Sequence, residues 1–261
     1  MSVAPSRPWK IIRVVAVAVA IGTLAGILAA SLNSSADGPP SLPTADGFQL
    51  PFGDGTASAT YVSTHGVSFT GWYVAAGFLD QTYLRDRGAL HPGEDWNGVG
   101  GGDTDLGQPV LAAAAGRVES IELGAPGWGN VMMLRHVTLA GETVFTVYAH
   151  VEHISVVEGE LVRRGERLAK VGKGERDRYW AHVHLEVRKA NMAYFPPSFW
   201  PSSHDLDSDW VRTHYYEPRA FLSAHRPPDL FVSTVAALIT RPFSPLAPGG
   251  HAHRGNGPTS L

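Results

Sequence analysis

The chain contains no cysteine in its 261 residues. Disulfides are excluded, and so is any metal site built on thiolates. A metal, if one is held, must rest on nitrogen and oxygen. Charge is also sparse. Charged residues make up 17% of the chain and the formal net charge is −3, so nothing suggests nucleic-acid binding through a basic surface. Helical patterns are few. What remains is an ordinary globular composition on a chain long enough for one large domain or two small ones, with a proper core. Histidine, in contrast, is plentiful, at 12 copies.

The long uncharged run lies near the N-terminus. Arg7, Lys10 and Arg13 precede Val14 to Leu32, a stretch of 19 residues without a charge. As a helix it would measure about 28 Å, close to the roughly 30 Å hydrocarbon core of a bilayer. Basic residues on the N-terminal flank predict that this end stays in the cytoplasm and the rest crosses. Residues 1–36 therefore read as an uncleaved signal anchor, or as a secretory signal peptide cut nearby, for example after Ala36. On either reading the main body works in the cell envelope, held at the extracytoplasmic side of the membrane or secreted.

Residues 37–60 are rich in Gly, Pro, Ser, Thr and Asp and read as a linker. From 61 to 226 short apolar runs alternate with Gly and Pro turns, as in "PVLAAAAGRVESIEL", "NVMMLRHV" and "TVFTVYAHV". That spacing predicts a mainly β domain, a compact antiparallel sandwich or barrel, preceded by the N-terminal hydrophobic helix. Pro218 suits the first turn of a short helix. Residues 227–261 read as a C-terminal tail, partly disordered. Its "PPDLFVSTVAALIT" is too short for a second span.

Within the folded region, "WAHVHLEV" places His182 and His184 two apart in an apolar run. In a strand, residues i and i+2 share a face. His182, His184 and Glu186 then line one face, with Ala181, Val183, Leu185 and Val187 on the other. Two imidazoles side by side can share a metal, or one can bind it while the other handles protons. A solvated polar strand face explains the same pattern. His251 and His253 show the same spacing in a Gly- and Pro-rich setting without a strand pattern, and carry no such reading. "ALHPGEDWNG" adds His91 and Asp95, four apart, a donor pair suited to zinc. "VYAHVEH" adds His150 at the end of an apolar strand.

Taken in order, "HPGEDW", "GQPVLAAAAGRVES", "GWGNVMMLRH", "TVYAHV", "VVEGELVRRGERLAKVG" and "AHVHLEVR" resemble the core of the lysostaphin-like (LytM-type) zinc endopeptidases. These enzymes hydrolyse peptide bonds of bacterial cell-wall peptidoglycan. The resemblance is strong from His91 to Arg188 and absent at both ends. It implies that His91, Asp95 and His184 are metal ligands for Zn²⁺, and that His150 and His182 are catalytic histidines that do not bind the metal. His136 matches a position that is not a ligand and is given a structural role. Glu186 is read either as a partner holding a ligand imidazole or as a cross-strand ion pair.

Three protein ligands leave one position of zinc open to water, as catalytic sites do. Asp95 would reduce the charge of a dipositive centre to about +1. The implied substrates are peptidoglycan peptides. A catalytically silent module of the same fold, binding cell wall or regulating a hydrolase, and a zinc peptidase acting on a secreted peptide are the competing readings.

Two departures from the family pattern stand out. "WNGVGGGDTDL" after Asp95 is longer than the usual connection, and its Asp103 and Asp105 could bind a cation but are expected to be solvated loop carboxylates. Before His182 a Gly- and Ser-rich loop is replaced by "GKGERDRYWA", which puts Tyr179 and Trp180 beside the expected groove.

Overall fold

The structure, a computed structural model, describes residues 41–228. Strands β1 (Thr60–Val62) and β2 (Ser68–Thr70) form a small hairpin. Strands β3 (Trp72–Ala76), β4 (Glu94–Gly98), β5 (Pro109–Leu111), β6 (Gly116–Ala125), β7 (Gly129–Val137), β8 (Thr143–Glu152), β9 (Leu161–Val162), β10 (Arg167–Val171), β11 (Val183–Lys189) and β12 (Tyr215–Tyr216) form a ten-stranded antiparallel sheet. Its main path runs β3-β4-β11-β8-β7-β6-β9, with β10 pairing β5 and β8, and β12 pairing β11. The helices are short: α1 (Gln81–Arg87), α2 (Ser208–His214) and α3 (Pro218–Ala224). The mainly β antiparallel domain expected from the spacing of short apolar runs is present, and α3 starts at Pro218 as expected.

β11 lies between β4 and β8. Val183, Leu185 and Val187 point into the main core with Tyr148, Val151 and Leu168. The opposite face of β11 is also covered, so His184, Glu186 and Arg188 are buried as well. A sheet covered on both sides hides the alternation that a half-exposed strand shows. That is why β8 reads as an unbroken apolar run.

The stretch read as a linker contributes to this core. Ala45, Phe48, Phe52 and Ala59 are buried. Phe52 stacks on Trp72 with ring centroids 4.1 Å apart, and Phe48 meets Phe221 of α3 edge-on at 5.1 Å. Burying each phenylalanine is worth about 1.5–3 kcal/mol. Gly, Pro and Asp announce irregular backbone, but they do not say whether that backbone is packed. The uncharged stretch Val14–Leu32, and the tail from 229 onward with His251 and His253, lie outside the described residues. Among the described residues no helix is long and apolar enough to cross a membrane.

Candidate metal centre and its histidines

Strand alternation places the site. In β4, Glu94, Trp96 and Gly98 are buried, while Asp95 and Asn97 face the other way. Glu94 accepts from Trp96 Nε1 at 3.1 Å and from Arg219 Nε at 2.8 Å, tying β4 to α3. Asp95 pairs in register with His184 of β11. Opposite Asp95 the ladder to β3 slips by one residue between Val74 and Ala76. His91 precedes β4, and its backbone carbonyl accepts from Leu79 N at 2.8 Å.

Three donor atoms converge here. His184 Nδ1 lies 2.9 Å from Asp95 Oδ1 and 3.1 Å from His91 Nε2, and His91 Nε2 lies 3.2 Å from Asp95 Oδ1. The remaining ring nitrogens fix the tautomers. His91 Nδ1–H donates to the Gly77 carbonyl at 2.8 Å, and His184 Nε2–H donates to Glu186 Oε1 at 3.1 Å. His91 Nε2 and His184 Nδ1 therefore both present lone pairs toward a carboxylate oxygen. Three acceptors packed this closely repel one another unless a cation sits between them. A tetrahedral ion with bonds of about 2.0–2.1 Å requires donor–donor edges of about 3.3–3.4 Å, close to the spacing found. The residues thus fit a metal by both chemistry and shape. Without one, the trio would hold a proton. Burial opposes charge on His184, but Asp95 and Glu186 outweigh it and push its pKa up to about 9. Burial likewise opposes charge on Asp95, and the surrounding histidines overcome it and hold the carboxyl well below the usual range.

Glu186 is anchored in turn. Arg188 Nε donates to Glu186 Oε2 at 2.6 Å, and both side chains are fully buried. Arg188 also donates to the carbonyls of Pro196 at 2.9 Å and Pro197 at 2.7 Å. Of the two readings of Glu186, the structure shows a carboxylate that holds the His184 imidazole, and its ion pair runs along β11 rather than across strands. Gly93 leaves room for this chain: a Cβ there would meet Leu185 O at 2.4 Å and His184 Nε2 at 2.9 Å.

His150 and His182 stand beside the three donors. Their rings are 4.6 Å apart, and His182 Nε2 lies 3.8 Å from Asp95 Oδ1. Each is held through Nδ1–H, His150 on the Trp128 carbonyl at 2.9 Å and His182 on the Trp180 carbonyl at 2.8 Å. In a neutral ring held this way the lone pair is on Nε2. His150 is the extra residue of a β-bulge. Asn130 pairs with Val151 and Val131 with Ala149, so His150 is skipped, and its φ is 62°. Bulges re-aim a side chain, and a left-handed non-glycine backbone costs roughly 1–3 kcal/mol. Gly172 accommodates the detour, since a Cβ there would meet His150 O at 2.5 Å. Burial, then the neighbouring His182 and His184, push the pKa of His150 down to about 3.

Aromatic rings wall the site. Tyr83 of α1 stacks on His91 at 4.5 Å, Trp128 meets His184 edge-on at 5.2 Å, and Tyr179 lies 4.9 Å from His150. Trp200 lies 5.3 Å from Trp128 and 6.3 Å from His184. Trp180 is 68% exposed at the rim. His136 sits apart and buried, with Nδ1 on the Ala115 carbonyl at 2.9 Å and Nε2 2.8 Å from Thr146 Oγ1.

The expectation for Asp103 and Asp105 fails. Asp103 accepts from Ala181 N at 2.9 Å and from Lys173 Nζ at 2.8 Å. Asp105 is buried and accepts from Gly98 N at 2.9 Å. Both are structural anchors: Asp105 ties the long connection back onto the end of β4, and Asp103 ties it to the segment that leads into β11. Sequence reasoning also passed over Arg188, Asn97, Tyr83, Trp128 and Trp200. Only Arg188 carried a signal, as the next step in the period-two series after His184 and Glu186.

Such a centre, three nitrogen and oxygen donors flanked by two further imidazoles on an antiparallel sheet, is the kind that metallopeptidases use. Residues 91–196 match Peptidase family M23. It is 31% identical over 137 residues to a Lipoprotein NlpD/LppB homolog of Pseudomonas aeruginosa, covering 52% of this chain and 42% of the relative. It is 30% identical over 95 residues to the lipoprotein YgeR of Escherichia coli, covering 36% of each. The chain spans less than half the length of these curated relatives. Among solved structures it is similar to lysostaphin from Staphylococcus simulans, at 18% identity and a TM-score of 0.40 over 59% of this chain and 50% of that one. It is also similar to a zinc-containing peptidase from Vibrio cholerae, at 24% identity and a TM-score of 0.36 over 49% of this chain and 42% of that one.

Proposed function

We propose that the protein is a zinc endopeptidase of the cell envelope that hydrolyses peptide bonds of peptidoglycan. The observation that carries this reading is the convergence of three lone-pair donors, His91, Asp95 and His184, beside two further imidazoles with free Nε2 atoms. Bound zinc would supply Lewis-acid polarisation of a carbonyl and a water made acidic at neutral pH. His91, Asp95 and His184 would hold it, and Asp95 would lower the net charge of the centre. Glu186, backed by Arg188, keeps His184 in the tautomer that offers Nδ1. His150 and His182 each present an Nε2 that can take a proton from the attacking water or pass one to the leaving amine. The aromatic walls would orient the peptide and exclude water. Location in the envelope is supported by the uncharged run after Arg7, Lys10 and Arg13 and by relatives named as lipoproteins.

The test combines zymography on purified peptidoglycan, mass spectrometry of released fragments, and zinc content. His182→Ala should keep zinc and lose about 10²–10⁴ in rate, the typical contribution of a general acid or base. His184→Ala should lose both metal and activity. A zinc-loaded wild type that releases no fragments would instead favour a wall-binding module. A zinc-free His182→Ala variant would overturn the division of roles.

A further inference from the structure

His182 lies just outside the strand ladder that fixes His184. β11 begins at Val183, and its pairing starts at Val183 with Trp96 on one side and at His184 with Ala149 on the other. On the backbone, His182 has one isolated bridge to Gly172, whose N–H···O distance is a long 3.4 Å. Its ring is aimed by the Trp180 carbonyl. Between that carbonyl and His182 lies Ala181, fully buried. Both polar groups of Ala181 are taken by side chains that follow Asp95, one near the end of β4 and one in the long connection beyond it. Its N–H donates to Asp103 Oδ1 at 2.9 Å, and its carbonyl accepts from Asn97 Nδ2 at 3.1 Å.

The connection that does the gripping is itself anchored. Asp105 holds Gly98 N, Tyr61 Oη accepts from Gly100 N at 3.0 Å, and Thr104 Oγ1 donates to the Gly101 carbonyl at 2.9 Å. Asp103 also takes the Lys173 ammonium at 2.8 Å, binding the residue next to Gly172 into the same knot.

We propose that Asp103 and Asn97 are positioning residues for His182. They grip the Ala181 peptide groups from two sides and so set the imidazole that β11 alone leaves at a loose end. This rests on the reading of His182 as a proton-handling residue. A misplacement of about 1 Å can cost roughly 10²-fold in rate, so the grip is a determinant of turnover although neither residue touches the reacting atoms.

The test uses the full chain with zinc bound. Asp103→Ala should lower kcat by about 10²-fold with KM nearly unchanged, as expected when only a transition-state interaction is lost. Zinc stoichiometry should stay at the wild-type value, and the ring-proton NMR signals of His182 should shift while those of His136 do not. The double variant Asp103→Asn/Lys173→Met keeps an acceptor for Ala181 N–H without a competing ammonium, and should recover most of kcat and the wild-type His182 signals. Asn97→Ala, which frees the Ala181 carbonyl from the opposite side, repeats the test should Asp103→Ala not fold. Wild-type kcat in a folded Asp103→Ala variant, unmoved His182 signals, or no recovery in the double variant would overturn the proposal. Should the wild type hydrolyse nothing, the function proposed above fails, and the His182 signals still decide whether Asp103 positions the ring.

Discussion

Replacing Arg188 with methionine should expose how the metal centre is supported from behind. The guanidinium is fully buried, with Glu186 on one side and the Pro196 and Pro197 carbonyls on the other. Methionine fills much of the same volume but takes the donor from Glu186 Oε2 and from the Pro197 carbonyl, while His184 still reaches Glu186 Oε1 and Phe199 N–H still reaches the Pro196 carbonyl. Breaking one side of a buried ion pair costs about 3–5 kcal/mol. For a domain of this size each kcal/mol moves the melting temperature by roughly 2–4 °C, so Arg188→Met should melt about 6–20 °C lower. Glu186 also loses the partner that keeps it charged and aimed at His184, and loss of such an outer partner typically weakens metal binding about 10–100-fold. Removing both charges separates the two effects. Glu186→Leu/Arg188→Met should regain most of the stability, since a buried pair exchanged for apolar groups is often neutral. Its zinc affinity should stay low, because His184 Nε2–H then has no acceptor. Circular dichroism melts of the metal-free protein and competition with a fluorescent chelator read the two quantities independently. An Arg188→Met variant that melts with the wild type and binds zinc as tightly would refute this account.

Burial pushes the Asp105 carboxyl up to about 6 from an ordinary 3.8. Within that window the folded chain holds a proton that the unfolded chain releases, so stability falls as pH rises and the cost is complete above pH 6. Asp105→Asn, which still accepts from Gly98 N–H, should raise the melting temperature at pH 7.5, by an amount worth at most about 3 kcal/mol, and leave it unchanged near pH 4. Equal gains at both pH values would contradict the burial argument. Gly93→Ala should cost about 1–3 kcal/mol of stability by overpacking, and should weaken zinc binding by displacing His184. A chelator titration indistinguishable from wild type would show that the Leu185 carbonyl can yield.

The five residues of the candidate centre were legible because each sits in a short motif whose order is informative, and because period two places His184 and Glu186 on one face. The packing of Phe48 and Phe52 was not legible, since Gly- and Pro-rich composition describes the path of a chain and not what covers it. Asp103 and Asp105 were misjudged for the same reason: carboxylates in a Gly-rich loop look solvated until the loop folds back onto a strand. The bulge at His150 left no trace, because a single skipped residue in an apolar run has no period to break. The aromatic walls come from segments far apart in sequence, and only the fold brings Tyr83, Trp128 and Trp200 to one rim.

The clasp between Phe48 and the end of α3 bears on how the chain is made. Phe48 N–H donates to the His225 carbonyl at 2.8 Å, and its ring packs on Phe221 and His225. The two ends of the described domain therefore close on each other, and this clasp cannot form until α3 has emerged from the ribosome. Contacts across so long a stretch of sequence form slowly. On the export reading proposed above, that delay has a use: a polypeptide threaded unfolded through a translocation channel arrives on the far side before it can lock, and the metal site is completed where its substrate lies.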